Sequence, residues 1–478
     1  MTSTSPTNRP SVDRRRFLTA AGATGAALLA SNTHAQTQRS TSQTNNRARN
    51  VILLVADGMS AGTLQLADRY LRDHGQGPSH WVRLWSRPEV RRAAQMTHSA
   101  NALVTDSAAA GSAWGSGVHV NNGAINFTPD NQEPTPLLVE AKAHNKATGL
   151  VTTTRVTHAT PAAFVANVPR RSLEDDIARQ MLERNVDLIL GGGAKHFPPE
   201  TIALRPNTDV LHTQAQLRAY AANTTTKPRP VIGLFNNDHM RYEIDRLQQS
   251  AAEREPSLED MTRVALAELD QAPNGFVLQI EGGRVDHAAH ANDAAALVQD
   301  QVAFDHAIAA VDAFTQGRDD TLVLLTTDHA NANPGLTIYG QPGIRCWERL
   351  AKATHSFEWI TERFAERDKD NTDPLDTFVA LVEQAAAVKL TQAERDAIQR
   401  GVLDRQPTSP FRPLSQPLPV LGQVLANHFG VAFVSPNHTA DYVELTAWGP
   451  GSEPVAGLMD NIELHTLMRN ALGFPENK

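Results

Sequence analysis

The chain has 478 residues, with 44 lysines and arginines against 52 aspartates and glutamates, for a formal charge of −8. That acidic balance argues against a nucleic-acid partner, and a single cysteine, Cys346, excludes an intramolecular disulfide. The length allows two domains.

At the N-terminus, Asp13-Arg14-Arg15-Arg16-Phe17-Leu18 precedes an apolar stretch from Thr19 to Ala30, and Thr33-His34-Ala35 offers small residues for cleavage. This pattern reads as a twin-arginine export signal over residues 1–35, which implies a periplasmic or secreted protein. The apolar part is too short and too Gly-rich for a stable membrane span. Removing residues 1–35 takes away four arginines and one aspartate, so the charge moves from −8 to about −11. The lack of disulfides suits a route that exports folded chains, with Cys346 read as a packing residue. Residues 36–49 are polar and read as a flexible linker, leaving 50–478 as the folded domain.

Val51 to Val55 is a continuous apolar run that ends in Ala56-Asp57-Gly58, the pattern of a buried parallel strand with a ligand at its C-terminal end. In Thr105-Asp106-Ser107-Ala108-Ala109, a polar turn enters an Ala-rich helix. Ser107 then sits at or near a helix N-terminus, where free N–H groups favour an alkoxide and a phosphate, although an Asp or Ser there also reads as an ordinary cap. The Gly-x-Ser-x-Gly elbow is missing, so activation of Ser107 has to come from a metal. Strands and helices alternate through Ala147–Thr153, Ser172–Arg184, Asp187–Leu190 and Leu258–Leu269, which predicts an α/β three-layer sandwich with a large, mostly parallel central sheet.

The run ending in Leu278-Gln279-Ile280-Glu281 leads into Gly282-Gly283-Arg284-Val285-Asp286-His287-Ala288-Ala289-His290. If Asp286 opens a helix, His290 lies four residues on along the same face, so carboxylate and imidazole can grip one ion. Glu281, at the strand end, is available to a second. Thr321 to Leu325 repeats the theme and delivers Asp328 and His329. Between His329 and His438 lies an insertion, about 335–435, with helical patterns near Phe357–Arg367, Leu375–Ala387 and Thr391–Gly401 and a Pro-rich loop over Pro407–Pro419. Trp347 and Trp359 within it either line an entrance or fill a core. His438 follows the short run Val431–Val434. Asp57, Asp286, His290, Asp328, His329 and His438 supply three carboxylates and three imidazoles, enough for two sites of three protein ligands, each with an open position. Ligands from near both ends that converge favour one domain with insertions.

Taken together, Val55-Ala56-Asp57-Gly58-Met59, Thr105 to Ala109, Thr154 to Ala162, Glu281 to His290, Thr327-Asp328-His329-Ala330 and His438-Thr439-Ala440 resemble the alkaline phosphatase family, in the family's order and over most of the chain after residue 50. The resemblance implies two zinc ions and one magnesium ion. Asp286, His290 and His438 would ligate the first zinc and Asp57, Asp328 and His329 the second, with Asp57 bridging to magnesium beside Thr160 and Glu281. It further implies that Ser107 is transiently phosphorylated and that Arg171 clamps two phosphate oxygens, Arg170 being its neighbouring alternative. His158 and His287 stand where the best-known enterobacterial member has Asp and Lys. They leave the outer surroundings of the magnesium open: His158 holds the ion through water, draws a transition metal there, or serves only as a hydrogen-bonding residue. Broad hydrolysis of small phosphate monoesters follows, with a cover over the site in the 335–435 region and a homodimer by analogy. A phosphodiesterase or sulfatase on the same scaffold, or a non-catalytic phosphate- or metal-binding protein, are the alternatives.

Overall fold

The apolar run beginning at Val51 forms the middle of β1 (Asn50–Val55), buried at every position. Its side chains alternate between two cores: Val51, Leu53 and Val55 face one, and Ile52 and Leu54 face the other. A strand that is apolar on both faces has to lie between two layers, and parallel strands need crossover helices to supply them. The computed structural model describes residues 47–223, 230–368 and 373–475. The expected export signal and residues 36–46 of the expected linker lie outside the described residues.

Among the described residues, thirteen further strands follow β1: β2 (Arg91–Met96), β3 (Ala147–Arg155), β4 (Leu188–Gly192), β5 (Asp209–Leu211), β6 (Val231–Leu234), β7 (Phe276–Glu281), β8 (Thr321–Thr326), β9 (Ala330–Asn331), β10 (Gly335–Leu336), β11 (Val431–Ala432), β12 (His438–Thr439), β13 (Val443–Trp448) and β14 (Leu458–Asp460). With β1, nine of them build one ten-stranded sheet in the order β14-β2-β13-β8-β1-β7-β3-β4-β6-β5, while β9 pairs with β12 and β10 with β11. In the large sheet only β13 runs against its neighbours, antiparallel to both β8 and β2. This is the mixed α/β fold, with a large and mostly parallel sheet, that the alternation predicts.

One core packs the Ser107–Ser116, Glu174–Glu183 and Glu463–Leu472 helices onto the sheet through Trp114, Met181 and Met468. The other packs the Leu258–Leu269 and Ala294–Thr315 helices through Met261, Leu297 and Phe304. Helices of the insertion form a third core with Leu66, Leu71, Val298 and Val302 on the outside of that second layer. Trp347 is buried there, its indole donating to Asp73, and Trp359 packs beside it, so both tryptophans serve packing. The Pro-rich segment is not a loop throughout: a helix runs over Pro417–Phe429. Pro417 and Pro419 fall in its first turn, where a missing N–H breaks no helical hydrogen bond. Among the described residues, no helix is long and apolar enough to cross a membrane.

Register decides what meets at the strand ends. Val55 is opposite both Glu281 and Thr326, and Thr152 is opposite Glu281. Asp57 and Asp328 therefore each lie two residues beyond a matched pair. Four adjacent central strands, β8, β1, β7 and β3, thus open onto one spot at their C-terminal ends, the edge where open parallel sheets bind ligands.

Candidate active site

Gly58, with φ of +69°, turns the chain sharply after β1 and donates its N–H to Asp328 Oδ1 at 2.9 Å. A Cβ at Gly58 would stand 2.4 Å from Asp286 Oδ1, so the turn also brings Asp57 alongside the β7 ligands. Asp57, Asp328 and His329 are fully buried and converge: His329 Nε2 lies 3.1 Å from Asp328 Oδ2 and 3.7 Å from Asp57 Oδ1.

The Asp286 helix spans Arg284–Ala291 and places His290 on the same face, Nε2 3.3 Å from Asp286 Oδ2. His438, on β12, brings Nε2 to 3.5 Å from Asp286 Oδ1. The Nδ1 atoms of His290 and His438 bond the carbonyls of Pro436 at 2.6 Å and Thr105 at 2.8 Å. Those bonds fix the tautomer, with the proton on Nδ1 and a lone pair on Nε2. The two Nε2 atoms are 3.0 Å apart, so the lone pairs repel unless a positive charge lies between or beside them. A proton can supply it: Asp286, working against burial, raises His290 to about 9. A divalent cation supplies it better, because it also serves the acidic neighbours.

Asp57 uses its second oxygen on the opposite side. Oδ2 lies 3.5 Å from Thr160 Oγ1 and 3.9 Å from His158 Nδ1. Glu281 completes this corner; its Oε2 accepts from Thr152 and Thr154, while Oε1 has no hydrogen-bond partner among the described residues. His158 Nδ1 is buried and equally unpartnered. Four carboxylates thus share one dry pocket. Burial, and then the charges of Asp328, Asp286 and Glu281, push Asp57 well above the usual carboxylate range. Burial lifts Glu281 to about 7 against the hydrogen bond from Thr152. Burial opposes ionisation of Asp286 and Asp328 too, but His290 and His438 hold the first, and His329 the second, below the usual range. Such a set, with the orphaned Glu281 Oε1 beside the oxygens of Asp57 and Thr160, fits divalent cations.

Ser107 is the first residue of its helix and is 2 % exposed. Its Oγ stands 3.2 Å from His329 Nε2 and 3.4 Å from Asp57 Oδ1. Asp106 caps the helix through Ala109 N–H, and its other oxygen accepts from Arg171 Nη1 at 3.1 Å and from Gly123 N–H. Arg171 also reaches His158 Nε2 at 2.9 Å, so its guanidinium stands between nucleophile and Asp57 corner, whereas Arg170 is exposed.

All twelve residues singled out in the sequence gather in this region, His287 at its rim, where Nδ1 meets Arg284. His239 was missed. Its ring stands 4.4 Å from that of His287 and 5.7 Å from that of His158, and its Nδ1 accepts the Arg155 N–H. Burial first, then nearby guanidiniums and imidazoles, keep all three histidines neutral, with His287 near 3. Polar Asn236-Asn237-Asp238-His239 carries no strand or helix pattern; its place comes from tertiary contacts, the Gly193 N–H after β4 donating to the Asn236 and Asp238 carbonyls. Asp106 was legible as a cap but not as the partner of Arg171.

A profile of the family described as alkaline phosphatase matches residues 48–474. The crystal structure of Thermus thermophilus alkaline phosphatase superposes with a TM-score of 0.81 at 31% identity, covering 90% of this chain and 92% of that one. Alkaline phosphatase 4 of Bacillus subtilis is 29% identical over 446 residues, 90% of either chain. Alkaline phosphatase H of Pseudomonas aeruginosa is 32% identical over 350 residues, 61% of this chain and 73% of its own. The profile match over nearly the whole described chain and the superposition at 31% identity agree: the chain belongs to the alkaline phosphatase family, metal-dependent enzymes that hydrolyse phosphate monoesters.

Proposed function

We propose that hydrolysis proceeds through a phosphoserine on Ser107, at a site built for two zinc ions and one magnesium ion. The observation that carries this reading is the position of Ser107 Oγ, 3.4 Å from one oxygen of Asp57 while the other faces Thr160 and His158. Asp286, His290 and His438 form one donor set and Asp57, Asp328 and His329 a second; imidazole with carboxylate suits zinc. Asp57, Thr160 and Glu281 offer oxygen alone, which suits magnesium. When bound, the zinc ions supply Lewis acidity that eases loss of the serine proton and offsets charge on the phosphoryl group.

The side chains themselves do the rest. Ser107 Oγ gives its proton to solvent and attacks phosphorus from the helix N-terminus, whose N–H groups and dipole favour the incoming anion. Arg171, tethered by Asp106, pairs its planar fork with two phosphoryl oxygens and holds the group in line. The P–O bond to the alcohol breaks, and the alcohol oxygen takes a proton from water. A water molecule then cleaves the Ser107 Oγ–P bond, returning the hydroxyl and releasing phosphate. Because these contacts address phosphate and neglect the alcohol, many monoesters qualify as substrates.

Residues 13–35 support twin-arginine export, with the enzyme acting in the periplasm or outside the cell, and homodimer formation follows by family analogy. Replacing Arg14 and Arg15 by lysine should leave activity in the cytoplasm. For the chemistry, Ser107→Ala should lower aryl phosphate turnover roughly a thousandfold or more. Acid-quenched wild-type enzyme should yield a Ser107 peptide heavier by one phosphoryl group. Unchanged turnover in Ser107→Ala, or a phosphoryl group on another residue, overturns the reading.

A further inference from the structure

His98, His119 and Asp460 form a second gathering of metal-ligating side chains, outside both donor sets described above. Asp460 ends β14, where its partner in register is Met96, the last residue of β2, so His98 follows two residues beyond that pair. His119 comes from the loop after the Ser107–Ser116 helix, and an Ala100 N–H to Val120 carbonyl bond of 2.9 Å ties that loop to the one carrying His98. The two imidazoles are neighbours, centroids 4.3 Å apart and planes tilted by 31°. β2 is two strands beyond β8, so about 10 Å of sheet separates this cluster from the Asp328 strand.

His119 Nε2 is 3.1 Å from Asp460 Oδ1 and His98 Nε2 is 3.6 Å from Asp460 Oδ2. Each imidazole thus has its own carboxylate oxygen. His98 Nδ1 bonds the Ser99 carbonyl at 3.2 Å, which puts the ring proton there and leaves the Nε2 lone pair facing a carboxylate. Glu463, whose Oε2 accepts the Asp460 N–H at 2.7 Å, adds a second negative charge beside it. The arrangement accommodates a positive charge among the three donors. The donor atoms lie within 4.8 Å of one another, and donors around a tetrahedral zinc stand about 3.3 Å apart, so small side-chain movements close the shell. Half-exposed His98 leaves solvent access for the fourth position.

We propose that His98, His119 and Asp460 bind a divalent cation of the zinc class, separate from the catalytic ions, which clasps β2, β14 and the loop leaving the nucleophile helix. Two imidazoles and one carboxylate favour zinc or cobalt over magnesium or calcium. No role in phosphoryl transfer is assigned to it.

The test counts metal. Wild-type protein loaded with zinc and passed through a desalting column should retain one ion per chain more than the His98→Gln/His119→Gln double variant, with aryl phosphate kcat/KM retained. Asp460→Asn, which keeps an oxygen for the Ile462 N–H bonded to Oδ1, should lose the same ion. As a reading that needs no variant, crystals of the wild-type enzyme grown with micromolar zinc should give an anomalous peak at the zinc edge between the two Nε2 atoms. Equal zinc counts in all three proteins, no peak there, or a peak only at millimolar zinc would overturn the proposal.

Discussion

His290 and His438 point their Nε2 atoms at each other across 3.0 Å, with both Nδ1 atoms committed to backbone carbonyls. Such a pair is stable only around a positive charge, and fully buried Asp57, Asp328 and Glu281 add to the demand. Chelation should therefore abolish activity and lower the melting temperature, and zinc plus magnesium should restore both. Recovery with calcium alone would contradict the assigned donors.

Removing one member of the pair separates the two halves of the reaction. On the proposed ligation, His438→Ala removes a ligand from the first zinc, so phosphoserine should form and persist, visible as a burst of alcohol followed by slow release of phosphate. Steady-state turnover equal to that of the parent enzyme would exclude His438 as a ligand.

Gly58 is a position where an added methyl group has no room. Gly58→Ala meets both the left-handed backbone and Asp286 Oδ1 at 2.4 Å. Zinc affinity should fall roughly 10- to 100-fold, as when the support of a metal ligand is lost. Equilibrium dialysis against a zinc buffer, with circular dichroism to establish folding, measures it; parental affinity would count against the close approach.

Arg171→Lys keeps the charge and loses the fork, as well as one of the contacts to Asp106 and His158. Loss of one charge-assisted hydrogen bond predicts a roughly 10- to 100-fold rise in KM and in the inhibition constant of inorganic phosphate. The same substitution at exposed Arg170 should change neither constant, which tells the two arginines apart.

Asp245 links the insertion to the body of the fold, accepting the N–H and hydroxyl of Ser356. Burial lifts its carboxyl to about 6 against those two hydrogen bonds. The folded state therefore holds a proton that the unfolded chain, with an ordinary value near 3.8, has released. This stabilising contribution is complete below the unfolded value and is lost as pH rises through 6, a cost of about 3 kcal/mol at neutral pH. Asp245→Asn keeps an uncharged acceptor for the Ser356 N–H and reverses the second bond, its Nδ2–H donating to Ser356 Oγ, so it should unfold at higher temperature than the parent at about pH 8 and lose that advantage near pH 4. An identical pH profile for the two proteins would refute the assignment.

The strand-end acids and imidazole were legible because each follows a buried strand: Asp57 after Val51–Val55, Glu281 after Leu278–Ile280, Asp328 and His329 after Thr321–Leu325. Apolar character on both faces is a strong signal, and charged residues at the end of such a run stand out. β2 was not legible, since Arg91-Arg92-Ala93-Ala94-Gln95-Met96 has half of its positions polar or basic and gains its strand form from pairing with β13. The Ala294–Thr315 helix escaped for the opposite reason: it is buried along most of its length, so no polar stripe reveals a helical period. His239 carried no signal because tertiary packing against Arg155 and His287, not local pattern, gives it a place.

Thr105 and His438, joined by a hydrogen bond, are 333 residues apart in the chain. A nascent polypeptide that has yet to emit its last tenth can pair β1 with β7 and β8 and already possess Ser107, but it lacks one side of the first donor set. On the proposed donor sets, sustained turnover of ester should therefore arrive late in synthesis, and a ribosome-stalled or C-terminally clipped product should fail to cycle even where most of the sandwich has formed.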